Sequence, residues 1–236
     1  MSPGLWHFCL RSSEQGTMAR VFHPLFNTIA KASIFGGIFL AGGVVWLATA
    51  IERSSYVTDA GVTRQQPVPF SHEHHVRGLG IDCRYCHTSV VDSGFAGIPP
   101  TKTCMTCHSK IWTNASLLDP VRESWRNNTP IRWQRVNNLP DFVYFNHSIH
   151  VAKGIGCSTC HGRVDKMPLT FQAASLQMEW CLTCHRAPER FIRPRNQIFN
   201  MEWVPPPDQD RAGAELAHQY NLIPRQLLQN CSLCHR

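Results

Sequence analysis

The stretch FNHSIHVAKGIGCSTCH, residues 145–161, decides how the chain is to be read. It sets His147 and His150 three residues apart and follows them with Cys157-Ser-Thr-Cys160-His161. A near copy stands upstream at residues 70–87, FSHEHHVRGLGIDCRYCH, with His72, His75, Cys83, Cys86 and His87 in matching places. From the first His to the first Cys the interval is 11 residues upstream and 10 residues downstream. Each copy is followed by a second CxxCH, Cys104-Met-Thr-Cys107-His108 in the first case and Cys181-Leu-Thr-Cys184-His185 in the second. The chain therefore contains a duplicated two-motif module, about 70–108 and 145–185, with a period of about 75 residues. A fifth motif, Cys231-Ser-Leu-Cys234-His235, belongs to a single-motif module at about 211–236.

Ten of the 11 Cys thus lie in CxxC pairs, and Cys9 stands alone. Paired Cys also suit disulfides or zinc, but a His directly after every pair points to covalent attachment of haem c. The two thiols must reach the two vinyl groups on one edge of the porphyrin, and the adjacent His must meet the iron from the same side. That requires a helical turn at each motif, and five haems c are expected. Their proximal ligands are His87, His108, His161, His185 and His235. A second imidazole on the far side closes the iron, whereas Met opposite His closes it and raises its potential. His72, His75, His147 and His150 are the expected distal ligands, since an HxxH turn lets neighbouring rings serve different haems. His74 reads as a surface residue or a propionate donor, and His7 and His23 lie on the far side of an apolar segment. For the fifth distal position Met178, three residues before Cys181, is preferred; His218 is the alternative, with Met167 and Met201 as further options.

That apolar segment runs from Ala32 to Ile51 for 20 residues without a charge. At about 1.5 Å per residue it spans about 30 Å, the thickness of a bilayer core. A cleaved signal peptide is the competing reading, because Ala48-Thr49-Ala50 resembles a cleavage site, but the apolar run is longer than a signal core. The expected division is a cytoplasmic tail (1–24), a membrane anchor (25–53) and an extracytoplasmic domain (54–236), with Met1 or Met18 as the start. Arg11, Arg20 and Lys31 precede the anchor against Glu14, while Glu52 and Arg53 after it nearly cancel, so the N-terminus is expected inside. Small residues at Ser33, Gly37 and Ala41 would let a partner helix approach closely. The formal charge is +7. Five ferric haems with ionised propionates would bring it to ~+2, which makes Arg residues propionate partners rather than a nucleic-acid surface. The fold class expected is mainly α with much irregular loop and little or no sheet, the macrocycles supplying much of the core.

The anchor, the five motifs, and the runs FNHSIHVAKGIGC, GRVDKMPLTFQ and MEWCLTCHR together resemble the pentahaem cytochrome c subunits of bacterial alternative complex III over about residues 25–236. The resemblance implies an electron-transfer subunit without a catalytic site of its own, in a quinol-oxidising membrane complex. It implies a polytopic quinol-binding subunit and an iron–sulfur subunit as partners, and delivery of electrons to a monohaem cytochrome, a copper protein or a terminal oxidase. It also assigns four HxxH histidines and one Met to the distal positions. Two other functions compete. A stand-alone membrane quinol dehydrogenase with four to five haems usually brings a Met within three residues of its first motif, whereas Thr88, Ser89 and Val90 follow His87. A nitrite or hydroxylamine reductase needs an open iron, and here the ligand supply matches the number of motifs.

Overall fold

A computed structural model of the chain describes residues 22–235; the expectations for Cys9, His7 and the choice between Met1 and Met18 lie outside the described residues. The chain divides into two compact units, Met1–Ala50 and Ile51–Arg236. Helix α1, Leu25–Arg53, starts directly after Pro24, and the Leu25 N–H donates to His23 Nδ1. None of its 29 residues is buried, and it is long and apolar enough to cross a membrane.

The second unit is a succession of short helices: α2 (Ser55–Thr58), α3 (Cys83–Cys86), α4 (Thr101–His108), α5 (Asp119–Asn127), α6 (His147–Ala152), α7 (Cys157–His161), α8 (Met178–Arg186), α9 (Gln209–Gln219), α10 (Arg225–Leu228) and α11 (Cys231–Cys234). Among the described residues there is no strand, only four isolated bridges such as Ala60 with Gln172 and Ile155 with Ile192. The fold is mainly helical and sheet-free, as the sequence predicts.

A 3-10 turn, Ser116–Leu118, runs directly into α5. Pro120 sits where a missing N–H costs nothing, and Asn128, at φ 50°, ends the helix in the left-handed region. Helix α9 begins at Gln209, with Asp208 separating it from the Pro205-Pro206-Pro207 run. A Cβ on Gly213 would lie 1.8 Å from the Glu189 carbonyl oxygen, so α9 packs backbone to backbone against the 3-10 turn Pro188–Arg190.

The two HxxH copies also differ. Downstream, His147 and His150 lie on α6, an ordinary α-turn, whereas upstream Glu73–Gly78 is a π-helix entered from His72. The upstream interval is the longer by one residue, and a π-turn accommodates one extra residue without breaking the helical path.

Nine apolar side chains are buried among the described residues, with one cluster of Val68, Leu118 and Val121 beneath α4 and α5 and with Ile192, Ile198 and Met201 elsewhere. So few buried groups cannot form a conventional core for a unit of this length.

Candidate functional site

All five CxxC pairs lie on helical turns: α3, α4, α7, α8 and α11. Asp82 caps α3 by accepting from the Arg84 N–H, and Asn230 caps α11 by accepting from the Ser232 N–H. None of the ten described cysteines forms a disulfide. Among the described residues no group of three or more His, Cys, Asp or Glu is placed to hold a metal ion. Burial pushes the Cys157 and Cys160 thiols up to about 11 and that of Cys184 up to about 12, so they are neutral near pH 7.

The histidines face one another in four pairs. Ring centroids are 6.5 Å apart for His72 and His87, and 6.2 Å for His75 and His108. In the second module they are 6.3 Å apart for His147 and His161, and 6.2 Å for His150 and His185. Two imidazoles bound to one metal from opposite sides, with roughly 2 Å for each metal–nitrogen bond and about 1 Å from each nitrogen to its ring centre, have centroids about 6 Å apart. Every pair has that spacing. The first His of each HxxH lies nearly parallel to its partner, at 8° and 5°, while the second is tilted, at 67° and 41°. The duplication therefore extends from sequence to the geometry of the histidine pairs.

Most of the ring nitrogens not needed for a metal are occupied. Nδ1 of His75 donates to the Ser71 carbonyl at 2.8 Å, His87 to Gly97 at 2.7 Å and His147 to Gly94 at 2.9 Å. His150 donates to Asn146 at 2.7 Å, His185 to Leu228 at 2.8 Å and His235 to Phe142 at 3.2 Å. A carbonyl only accepts, so the proton is fixed on Nδ1 and Nε2 keeps its lone pair for an iron. His72 Nδ1 pairs with the Thr170 hydroxyl at 2.9 Å, and His108 Nδ1 is buried with no partner. Burial, then the neighbouring imidazoles, lowers His72 and His161 to about 4, which keeps them neutral as ligands must be. Phe70 stacks on His75 at 4.4 Å and Phe145 on His150 at 4.5 Å, each holding its ring in plane. Spacing, tautomer and charge state all fit haem iron held from both sides.

The modules brace each other. Tyr85 and Thr106, inside the first and second motifs, share a hydroxyl–hydroxyl bond of 2.8 Å. The His147 N–H donates to the Gly94 carbonyl at 3.1 Å and the Ser148 N–H to Ser93, seating α6 on the loop after the first motif. In return, Thr170 and the Met167 carbonyl, beyond the third motif, hold His72 and the Glu73 N–H. Leu228 ties the fourth motif to the approach of the fifth, and Arg225 pairs with Glu189 at 2.9 Å. With His150, just before the third motif, facing His185 of the fourth, contacts link the motifs in the order second, first, third, fourth, fifth, which their numbering along the chain does not disclose.

The fifth site is built differently. The ring beside His235 is Phe142, at 5.7 Å, and the Tyr144 N–H donates to the Cys234 carbonyl. Met178, first residue of α8, is 60% exposed, and His218 on α9 is exposed as well. Met167 and Met201, at 4% and 7% exposure, pack in the interior. His74 is exposed beside Trp112, as a surface residue would be. The Arg residues divide: several pair with carboxylates, as Arg163 does with Asp165 and Glu202, while Arg77, Arg186 and Arg195 make no ion pair among the described residues. Sequence reasoning missed Thr170 and Gly94, which act on histidines 98 and 53 residues away in the chain.

Residues 143–236 match the family described as cytochrome c7 and related cytochrome c. The chain is also 35% identical over 103 residues to the multihaem cytochrome c subunit of menaquinone reductase from Nitratidesulfovibrio vulgaris (strain Hildenborough), which covers 42% of this chain and 46% of that relative. It spans about half the length of the relative it matches. Over residues 143–236, about two fifths of its length, the chain is thus similar to cytochrome c7 and related cytochrome c.

Proposed function

We propose that the chain is a membrane-anchored five-haem electron relay, one subunit of a quinol-oxidising complex of the alternative complex III kind. The observation that carries the reading is the set of four facing imidazole pairs, each pair including the His of a CxxCH turn. Haem c held at those turns supplies one-electron redox chemistry. The residues of the chain do the rest. At four of the five sites the paired imidazoles would close both faces of the iron and leave no coordination position for a substrate. Carbonyl-bound Nδ1 atoms fix ring orientation, and the interlocked modules keep neighbouring sites at constant separation. Met178 is the preferred sixth ligand at the remaining site, with His218 as its alternative.

In this reading α1 spans the cytoplasmic membrane with its N-terminus inside, and residues from about 54 onward lie on the periplasmic side. The partners are a polytopic quinol-binding subunit, an iron–sulfur subunit and a monohaem cytochrome, with a copper protein or terminal oxidase as other acceptors. Purification in mild detergent tests this: co-purifying chains of those classes and quinol-dependent haem reduction are expected. Recovery of this chain alone, oxidising quinol unaided, would instead identify a stand-alone quinol dehydrogenase.

A second reading reverses the flow. The relative named above is a subunit of a menaquinone reductase, so this chain would pass electrons toward a quinone. Menaquinone reoxidising the pre-reduced haems in the purified complex, with no reduction by quinol, would select it.

A further inference from the structure

The two modules share ligand geometry but not charge. Their first-His sites, His72 with His87 and His147 with His161, are alike in spacing and in the near-parallel set of their rings. Immediately before the first motif stands Asp82, a carboxylate paired with Arg84 at 2.8 Å. Immediately before the third stands Gly156, and a Cβ there would fall 2.1 Å from the Arg193 guanidinium carbon. Glycine lets that cation lie against the motif turn.

Arg193 is 3% exposed. Its Nη2 donates to the hydroxyls of Ser158 and Thr159, the two residues between Cys157 and Cys160, at 3.1 and 3.0 Å. Nη1 donates to the Asn200 carbonyl at 3.2 Å, and the guanidinium lies 4.3 Å over the Trp203 ring. Nε is buried without a partner, and among the described residues no carboxylate pairs with the side chain. Position is enforced by the backbone: the Arg193 N–H donates to the Gly154 carbonyl at 2.9 Å, and the Cys157 N–H to Ile198 at 3.2 Å. A buried cation without a counter-charge is costly and is weakly screened by salt. Hydrogen bonds to neutral groups hold it here without cancelling its field.

We propose that Arg193 is a positioning charge for the third motif, raising the reduction potential of the His147–His161 site above that of its duplicate, the His72–His87 site. A fixed positive charge favours the reduced, less positive iron, whereas at the first motif Asp82 and Arg84 pair and largely cancel each other's field. The two imidazoles that would hold the iron are alike in spacing and orientation at both sites; what differs is the Nδ1 partner, Thr170 at His72 against the Gly94 carbonyl at His147, and the nearby charge. An electron shared between the modules then resides in the second one, and the chain acquires a direction. The inference rests on the relay reading, because it presumes haem at both motifs.

The test is redox titration of the full detergent-solubilised protein, followed by optical and EPR spectra. The two sites with near-parallel ligand planes share an EPR line shape that separates them from the tilted pair. In the unmodified protein these two haems should titrate apart, and Asp82→Asn should raise the lower one. Arg193→Gln should lower the upper one, a tenfold loss in its reduced-to-oxidised ratio at fixed potential corresponding to about 59 mV for one electron. Arg193→Lys, which keeps the charge but not the donor fork, should restore most of it. Equal potentials in the unmodified protein, or equal shifts for Gln and Lys, would overturn the proposal while leaving the relay intact. Should the Arg193 variants fail to fold, the unmodified titration and Asp82→Asn still decide it. Absence of haem from either motif would instead remove the relay reading itself.

Discussion

At the scale of the residue, a histidine can bind a metal through either ring nitrogen, and its neighbour at the other nitrogen makes the choice. Six histidines here spend Nδ1 on a backbone carbonyl and so offer Nε2. Replacing His150 by Ala should open one face of the iron opposite His185, adding a high-spin ferric signal and binding of cyanide at one haem; spectra unchanged from the parent would remove His150 from the ligand set. Met178→His should lower the potential of a single haem, since imidazole replaces thioether. If none falls, His218→Ala becomes the informative variant. Asp165 illustrates a different residue-scale effect. The Arg163 guanidinium holds its carboxyl below the ordinary range, so the ionised form is the one the fold favours. Its contribution is complete above about pH 4 and is lost as pH falls through the lowered value. Melting curves recorded from about pH 5 to about pH 2 should therefore show a shallower acid decline for Asp165→Asn than for the parent.

At the scale of the element, a one-residue difference between duplicated segments becomes a difference in helix type. The upstream HxxH lies in a π-turn and its tilted pair stands at 67°, against 41° for the α-helical copy. Deleting Leu79 should convert the first interval to that of the second. All haems should remain attached, and the EPR line of the His75–His108 site should move toward that of His150–His185. An unshifted line would detach the tilt from the extra residue. Packing of α9 sets a second expectation. Gly213 meets the Glu189 carbonyl so closely that any side chain must displace the helix. Gly213→Ala should cost about 1–3 kcal/mol, read as a lower melting temperature.

At the scale of the whole molecule, the division between Ala50 and Ile51 separates an apolar helix from the motif-bearing unit. Removing residues 1–50 should release the remainder from the membrane fraction with its haem absorption unchanged. Retention in the membrane would mean that another subunit or surface, rather than α1, holds it there. The order of contacts, second motif to first to third to fourth to fifth, makes the second and fifth the ends of the series. Docking partners are accordingly expected nearest Cys104–His108 and Cys231–His235.

Much of this was legible without coordinates, because the chemistry is local. A thioether pair and its proximal His must lie on one turn, so Cys83–His87 and its four counterparts announce themselves by spacing. A 20-residue uncharged run announces a possible span for the same reason, and the repeated FxHxxH announces a duplication. What remained open depends on contacts between residues distant in the chain. Nothing in sequence spacing relates Thr170 to His72, Gly94 to His147, or Arg193 to the turn between Cys157 and Cys160. Which imidazoles face each other, which module follows which, and where an unpaired charge is buried were decided by tertiary packing alone, since distance through space governs ligand pairing and electrostatics while sequence records only distance along the chain.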